Sequence, residues 1–214
     1  MKTTQANSGT VPLYWTDACE HLITADRVMK RLIPTFGQVS LQSRGDAFGT
    51  LARSVVGQQI SVKAAQAVWD KFTQLSEQMN PVQVLQLNMD DMRAAGLSAR
   101  KIDYLVDLAL HFDRGMVHVD AWTDMDDEAI IDELVVIRGI GRWTAEMFLI
   151  FHLMRPNVFP LDDKGLIKGI SQCYFSGEPV SRNMAREVAN AWIPYRTVAT
   201  WYIWRSLDPV PVEY

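Results

Sequence analysis

Two adjacent carboxylates, Asp162 and Asp163, follow a proline-bearing loop and precede a stretch whose pattern is typical of a helix. A carboxylate at the start of a helix usually caps it, because its oxygens accept backbone N–H groups that have no partner within the helix. When such a side chain faces a substrate, it can stabilise developing positive charge or deprotonate an attacking water molecule. One carboxylate of the pair could therefore cap the helix and the other could take part in catalysis, and the spacing alone does not assign the two roles.

A second segment with chemical potential is Gly139-Ile140-Gly141. It lies between a predicted helix that ends near Ile137 and another that begins at Arg142 or Trp143. Glycine can adopt positive φ and expose its N–H group, so we expect a tight turn with Ile140 inserted into the core. The N–H groups that open the second helix lie at the positive end of its dipole and can bind a phosphate. An ordinary helix–turn–helix corner is the alternative, because so short a motif is weak evidence.

The composition is that of an ordinary globular protein, and the net charge of −4 by itself argues against nucleic-acid binding. The charge is uneven, however. Residues 138–205 hold nine Lys and Arg against five Asp and Glu, whereas residues 85–137 hold four against twelve. An acidic protein can thus present a basic surface to phosphates.

The same composition excludes several classes of protein. No apolar run approaches the roughly 18–20 residues of a membrane helix, and the first residues lack the apolar segment of a secretory signal. Only two cysteines are present, Cys19 and Cys173. We therefore expect neither a disulfide framework nor a four-cysteine metal site, and a reducing cytoplasm fits.

Apolar residues recur at helical spacing along almost the whole chain, and no segment alternates convincingly at period two. Capping residues precede many of these segments, among them Asp46, Ser61, Asn80 and Ser98. Gly96 marks a helix end. The pattern predicts an all-α fold of about ten to twelve helices averaging roughly ten residues.

Four motifs occur in a fixed order between Asp46 and Trp204. They are Gly57-Gln58-Gln59-Ile60-Ser61, Gly139-Ile140-Gly141 with Thr144-Ala145, Phe159-Pro160 with Asp162-Asp163, and Pro194-Tyr195-Arg196-Thr197-Val198-Ala199 followed by Trp204. In this order they resemble the helix-hairpin-helix superfamily of DNA glycosylases, above all the bacterial 3-methyladenine DNA glycosylase II enzymes. Four ordered motifs are far less frequent by chance than one.

The resemblance implies an enzyme of base excision repair. Such an enzyme extrudes a damaged base from double-stranded DNA and hydrolyses its N-glycosidic bond. The implied substrates are alkylated purines such as 3-methyladenine. Asp163 matches the catalytic position, which leaves the capping of the helix to Asp162.

The resemblance also implies a pocket for the extruded base. Trp143 and Trp204 match positions that line this pocket in relatives, and Met147 and Tyr202 are further candidates. N-alkylated purines carry positive charge, so an electron-rich indole face binds them preferentially. The other tryptophans are assigned to core packing: Trp15, Trp69, Trp122, Trp192 and Trp201.

Contacts with DNA are implied at the turn that carries Gln58 and Gln59, at the hairpin, and at Lys164. Gln59 is the expected wedge that fills the gap left by the extruded base, with Gln58 beside it and Ile60 as an apolar alternative. Both glutamines could instead hydrogen-bond a junction between helices. The complete predicted DNA-binding set is Gln58, Gln59, Gly139, Ile140, Gly141, Arg142, Thr144 and Lys164.

Bifunctional members of the superfamily carry a lysine just after the hairpin, and its amine attacks the sugar. Trp143 occupies that position here, so we predict a monofunctional enzyme that leaves an abasic site without cutting the strand. Lys164 could in principle attack, although a phosphate or carboxylate partner is the simpler interpretation. No cofactor is expected for catalysis. The resemblance implies a structural monovalent cation on the backbone carbonyls of Val135, Ile137 and Ile140.

The chain departs from the family pattern in three places. It has no room for the extra β-rich domain with which longer members begin. Arg138 stands where the hairpin usually has proline, and Lys164 stands where one branch has an aromatic residue. The last difference leaves the base open, with uracil, hypoxanthine or an etheno adduct as alternatives. A hairpin module that binds DNA without catalysis is the alternative from another class.

The expected architecture is two helical lobes with a cleft between them. Residues 1–12 would form a flexible tail. Residues 46–163 would form a central lobe carrying the hairpin at 137–142, and residues 13–45 with 164–214 a terminal lobe. We expect a monomer of the bacterial cytoplasm, located with the nucleoid and making no membrane contact.

Overall fold

The computed structural model describes residues 11–37, 39–43 and 46–207, so the predicted tail at 1–12 lies almost wholly outside the described residues. Regular structure in these ranges is helical throughout, which confirms the predicted all-α fold. The α-helices are α1 Trp15–Ala25, α2 Arg27–Leu32, α3 Ala47–Gly57, α4 Val62–Thr73, α5 Pro81–Gln86, α6 Met89–Ala94, α7 Ala99–Asp113, α8 Asp127–Val135, α9 Arg142–Phe151, α10 Lys164–Tyr174, α11 Arg182–Asn190 and α12 Arg196–Leu207. Short 3-10 helices lie at Ile33–Phe36 and Val119–Ala121.

The helices begin where the local sequence places capping side chains. The Asp46 carboxylate accepts the N–H of Gly49 at 2.8 Å, and the Ser61 hydroxyl accepts that of Ala64 at 3.3 Å. Asn80, Ser98 and Ser181 cap α5, α7 and α11 in the same way. Each of these side chains satisfies an N–H group that the helix itself leaves without a partner. The predicted caps at Asp46, Ser61, Asn80 and Ser98 are therefore confirmed.

The chain divides into two compact units. The terminal unit comprises Met1–Arg44 and Leu149–Glu213, and the central unit comprises Gly45–Phe148. Residues 149–163 thus belong to the terminal unit, whereas the sequence analysis assigned them to the central lobe. Hydrogen bonds explain the difference: the Thr197 hydroxyl, at the start of α12, donates to the carbonyl of Arg155 and accepts the N–H of Val158.

Aromatic rings form the core of the central unit. Phe48 contacts Phe112, which contacts Trp122, and Trp122 packs edge-on against Phe148 with ring centroids 5.3 Å apart. Edge-to-face contacts of this kind add to the free energy gained by burying the rings. They join α3, α7 and α9 within the unit.

A buried carboxylate organises part of the terminal unit. Asp26 caps α2 by accepting the N–H groups of Val28 and Met29 on Oδ1. Its Oδ2 accepts the Tyr174 hydroxyl at 2.8 Å and the Trp192 indole N–H at 3.2 Å. Four donors therefore satisfy a side chain that is only 8% exposed, as a buried charge requires. The network connects α2 to the end of α10 and to the segment after α11.

Four of the five tryptophans assigned to packing are buried, namely Trp15, Trp122, Trp192 and Trp201. Trp69 is half-buried, with the Arg53 guanidinium 5.9 Å from its ring centroid. No helix among the described residues has the length and apolar character needed to cross a bilayer.

Candidate active site and DNA interface

Asp163 lies at the N-cap of α10 and accepts a backbone N–H and an indole N–H. Its Oδ1 accepts the backbone N–H of Leu166 at 2.6 Å and the indole N–H of Trp204 at 2.8 Å. The residue is half-buried, so part of its surface remains accessible while these donors orient the carboxylate. A carboxylate at this position also benefits from the positive end of the helix dipole. The arrangement fixes an acid at a helix start beside an aromatic ring.

The predicted division of labour between the two acids is wrong. Asp163, and not Asp162, caps α10, because α10 begins at Lys164. The side chain of the extended residue immediately before a helix is the one that accepts the N–H groups of the first turn. Asp162 is exposed and pairs with Arg182, the first residue of α11. Asp163 therefore combines the capping role with the position expected for catalysis.

Two glycines of α10 allow α12 to approach it closely. A methyl group at Gly169 would lie 2.3 Å from Cγ2 of Ile203, which is far inside van der Waals contact. At Gly165, one turn earlier, it would lie 3.1 Å from Oδ1 of Asp163 and 3.6 Å from the indole nitrogen of Trp204. These glycines leave the space in which the indole of α12 meets the carboxylate of α10.

Trp204 is fixed on its other side by a stacked ring. Its centroid lies 5.9 Å from that of Phe151, with only 11° between the planes. The indole is thus held by stacking and by its hydrogen bond to Asp163, which leaves it little freedom to rotate. A pocket wall needs this rigidity if it is to present a fixed face to a flat base.

In the central unit, Gly139 forms the turn between α8 and α9. It has φ of +88°, and a methyl group there would lie 2.2 Å from the ring of Tyr104. Only glycine meets both conditions without strain. Ile140 is 4% exposed, which confirms that it is inserted into the core.

Gly141 differs from Gly139. Its φ is not in the left-handed region, so only Gly139 of the two uses the freedom to adopt positive φ. A methyl group at Gly141 would have no protein atom within 4 Å. Packing within the described protein therefore does not require a glycine here, although its absent side chain does leave the start of α9 open to an external group.

Neighbouring helices hold the turn in place. The Asp107 carboxylate of α7 accepts the backbone N–H of Arg138 at 2.8 Å, and the Gln58 amide donates to the carbonyl of Gly139, also at 2.8 Å. Lys101, on α7, donates to the carbonyl of Val56 near the end of α3. Burial lowers the pKa of this lysine. The turn is thus tied to both α3 and α7.

The two glutamines predicted as wedge residues have different environments. Gln58 joins the end of α3 to the hairpin, which is the junction role that the sequence analysis gave as the alternative. Gln59 is exposed and has φ of +60°, an uncommon conformation for a residue with a side chain. Ile60 beside it is 40% exposed. The geometry therefore leaves Gln59 and Ile60 as the residues presented to a partner.

The four pocket candidates are unequally accessible. Trp143 is 37% exposed and Trp204 is half-buried. Met147 and Tyr202 are 4% and 1% exposed. Tyr202 packs in the core of the terminal unit, against Trp15 and Trp201. Burial raises the pKa of its hydroxyl.

The remaining predicted DNA-binding residues fall into three settings. Arg142, the first residue of α9, pairs with Glu128 and Glu146. Thr144 is 7% exposed, and Lys164 is exposed at the start of α10. Side-chain metal ligands do not come together in groups of three within the part of the chain that the structure describes.

A family model covers residues 52–194 of this chain. It describes the HhH-GPD superfamily of base excision DNA repair proteins. This chain belongs to the HhH-GPD superfamily. The matched residues include Gln58, the hairpin and Asp163, and they end before α12.

Named relatives of this HhH-GPD protein agree with one another. DNA-3-methyladenine glycosylase 1 of Schizosaccharomyces pombe is 32% identical over 194 residues, which are 87% of this chain and 85% of that protein. DNA-3-methyladenine glycosylase 2 of Escherichia coli is 28% identical over 179 residues, which are 78% of this chain and 60% of that protein. The predicted superfamily is confirmed.

Solved structures of the HhH-GPD fold match most of this chain. DNA-3-methyladenine glycosidase from Bacillus halodurans gives a TM-score of 0.83 at 32% identity and covers 89% of each chain. The 3-methyladenine DNA glycosylase of Schizosaccharomyces pombe, in complex with abasic DNA, gives 0.80 at 31% identity and covers 92% of this chain and 98% of that chain.

Sequence reasoning missed the residues that support this HhH-GPD site. Tyr104 and Asp107 contact the hairpin from a helix about thirty residues earlier. The Asp107 carboxylate accepts the backbone N–H of Arg138, which lies 31 positions later. Gly165 and Gly169 did carry a local signal, because glycines four apart in a helix share one face. Such a face indicates close packing of a second helix.

Proposed function

We propose that this HhH-GPD protein is a monofunctional DNA glycosylase that releases alkylated purines such as 3-methyladenine from double-stranded DNA. The observation that carries the proposal is the Asp163 carboxylate, which α10 and Trp204 orient at the position that matches the family's catalytic acid. Relatives at 32% identity that cover most of the chain are named for the same activity.

The proposed reaction breaks the bond between C1′ of the deoxyribose and the ring nitrogen of the base. The bonding electrons leave with the base, which is a good leaving group because alkylation has given it positive charge. Positive charge then develops on the sugar, and the Asp163 carboxylate stabilises it. A water molecule adds its oxygen to C1′ and gives up a proton, for which Asp163 is the nearest proposed base. The product is an abasic site.

The extruded base would bind against an indole. Trp143 and Trp204 are the accessible aromatic candidates, and a cationic purine is attracted to an indole face by about 0.5–2 kcal/mol. A neutral purine gains only the stacking part of this energy. The proposed preference for alkylated purines over uracil or hypoxanthine follows from that difference.

The hairpin would bind the DNA backbone. Gly141 leaves the start of α9 open, and the N–H groups there suit a phosphate oxygen. Carbonyl oxygens are hard ligands, so the backbones of Val135, Ile137 and Ile140 are the proposed ligands of a monovalent cation. The carbonyl of Ile137 already accepts the N–H of Ile140, which leaves it one lone pair for a cation.

The wedge would be Gln59 with Ile60, because both are exposed on the turn between α3 and α4. Monofunctionality follows from the indole of Trp143, which occupies the position of the nucleophilic lysine in bifunctional relatives. The protein would act as a monomer on chromosomal DNA, in the cytoplasm with the nucleoid.

The decisive experiment is base release from methylated duplex DNA by wild type and Asp163→Asn. Asparagine is also a good N-cap, so the variant should keep its fold, and its rate should fall at least about 100-fold. Asp162→Asn is the matched control, since Asp162 is exposed and pairs with the surface residue Arg182. Its rate should stay within about twofold of wild type.

Three results would contradict the proposal in different ways. An unchanged rate in Asp163→Asn would remove the catalytic assignment. Binding of abasic DNA without release of any base would favour the non-catalytic hairpin module. A borohydride-trapped enzyme–DNA adduct that disappears in Lys164→Ala would show a bifunctional enzyme. A panel of uracil, hypoxanthine and etheno substrates ranks the alternative bases.

A further inference from the structure

The guanidinium of Arg142 is engaged by two carboxylates of the central unit. Its two terminal nitrogens donate to the two oxygens of Glu128, at 2.8 and 2.5 Å, and its Nε donates to Glu146 at 3.1 Å. Glu128 lies in the first turn of α8, and Glu146 lies one turn into α9. The side chain of Glu146 is only 7% exposed. Arg142 therefore connects the starts of the two helices that flank the hairpin.

The charges of this cluster do not favour a phosphate. One arginine and two glutamates sum to −1, and the hydrogen bond from Arg142 holds the pKa of Glu128 below its usual value. An arginine at the first position of a helix also lies at the positive end of the dipole, which disfavours it unless acids offset the charge. Both acids lie within hydrogen-bonding distance of Arg142. They supply that compensation.

The geometry of the pair is specific to arginine. A planar guanidinium makes two parallel hydrogen bonds to one carboxylate, whereas a lysine ammonium acts as a point charge and cannot reproduce them. The fork fixes the orientation of α9 relative to α8 as well as their distance. Between these helix starts lie Gly139 and Gly141, whose backbone is the part of the hairpin offered to DNA.

We infer that Arg142 is a positioning residue that fixes the hairpin through its bidentate pair with Glu128, and is not itself a phosphate ligand. The inference rests on the proposed function, because it concerns how the hairpin meets the DNA backbone. It replaces the prediction from sequence that Arg142 contacts DNA directly. Phosphate recognition is then left to the backbone N–H groups of the turn.

The test compares Arg142→Lys, Arg142→Ala and Glu128→Gln with wild type. Affinity for a duplex that contains a tetrahydrofuran abasic-site analogue is measured at several salt concentrations. If Arg142 is a positioning residue, all three variants should weaken binding by about three- to tenfold, because each loses the charge-assisted bidentate pair between Arg142 and Glu128. It also predicts an unchanged slope of log affinity against log salt.

If Arg142 is instead a phosphate ligand, we expect a different pattern. Arg142→Ala would then lower the salt slope by about 0.9, the value for one phosphate contact. Arg142→Lys would retain most of the affinity, and Glu128→Gln would leave binding unchanged or strengthen it by releasing the guanidinium. Any of these three results overturns the inference.

Two further measurements separate this inference from the proposed function. Hydrogen exchange of the Gly139–Gly141 amides in the protein without DNA should be faster in Arg142→Lys and Glu128→Gln, whether or not the protein releases bases. Unchanged exchange contradicts the positioning role. Arg93→Ala removes the exposed Arg93–Asp90 pair of the same unit and serves as the control, with no effect expected on exchange or binding.

Discussion

Two aspartates of the terminal unit share two kinds of hydrogen-bond donor and differ in their exposure. Asp26 and Asp163 each cap a helix through a carboxylate oxygen, and each accepts the indole N–H of a tryptophan. Asp26 is 8% exposed and has four donors, whereas Asp163 is half-buried at the start of α10. The comparison shows that the local motif does not determine function. The difference in exposure is consistent with a structural role for Asp26 and with the catalytic role proposed for Asp163.

Replacement of each aspartate by asparagine should separate the structural role of Asp26 from the proposed catalytic role of Asp163 most clearly. We expect Asp26→Asn to lower the free energy of unfolding by about 1–3 kcal/mol, because the amide cannot accept all four hydrogen bonds that the carboxylate accepts. Its single-turnover rate should match wild type well below the melting temperature. Urea unfolding of Asp26→Asn and Asp163→Asn checks this. Equal destabilisation of both variants would break the comparison.

The tryptophans allow a finer test of the same contrast. Trp204→Phe keeps an aromatic ring against Phe151 but loses the hydrogen bond to Asp163, so base release should fall about tenfold with little loss of stability. Trp192→Phe loses the equivalent bond to Asp26 and should lower stability by about 1 kcal/mol without slowing the reaction. Rates and unfolding curves of both variants give the result. A slower reaction in Trp192→Phe would contradict the separation.

The smallest effect is expected at alkaline pH. Burial, and then the charge of Asp26, raises the pKa of Tyr174 above its ordinary value. A raised pKa means that the contribution of the neutral phenol is complete below about pH 10 and is lost as the pH rises above it. The stability difference between wild type and Tyr174→Phe should therefore stay constant from about pH 8 to pH 10 and narrow from about pH 10 to pH 11. A difference that stays constant over this range contradicts the coupling.

Local sequence was sufficient for the parts of the fold that depend on a few neighbouring residues. The caps at Asp46, Ser61, Asn80 and Ser98 were predictable because the side chain and the N–H that it accepts lie within three positions. Gly139 was predictable as a turn for the same reason. The assignment of the cap of α10 to Asp162 was wrong by one residue, because Asp163 is the residue immediately before the helix.

Contacts between distant segments could not be predicted in this way. The amide of Gln58 finds its acceptor 81 positions away, and the indole of Trp204 reaches Asp163 across 41. Glu128 reaches Arg142 across 14 positions and a turn, so its pairing depends on how α8 and α9 pack. The family resemblance supplied Trp204 as a candidate, but only the structure shows what orients it.

The bond from Gln58 to the carbonyl of Gly139 has a consequence for how DNA is searched. It joins the turn that carries Gln59 and Ile60 to the turn that carries Gly141, so their separation stays constant from one duplex to the next. In the proposed function, where the hairpin binds a phosphate and Gln59 with Ile60 forms the wedge, a nucleotide would then be tested for extrusion only at a set number of steps from that phosphate. Sliding by one base pair would move both proposed contacts together, so each position along the duplex would be tested in the same register.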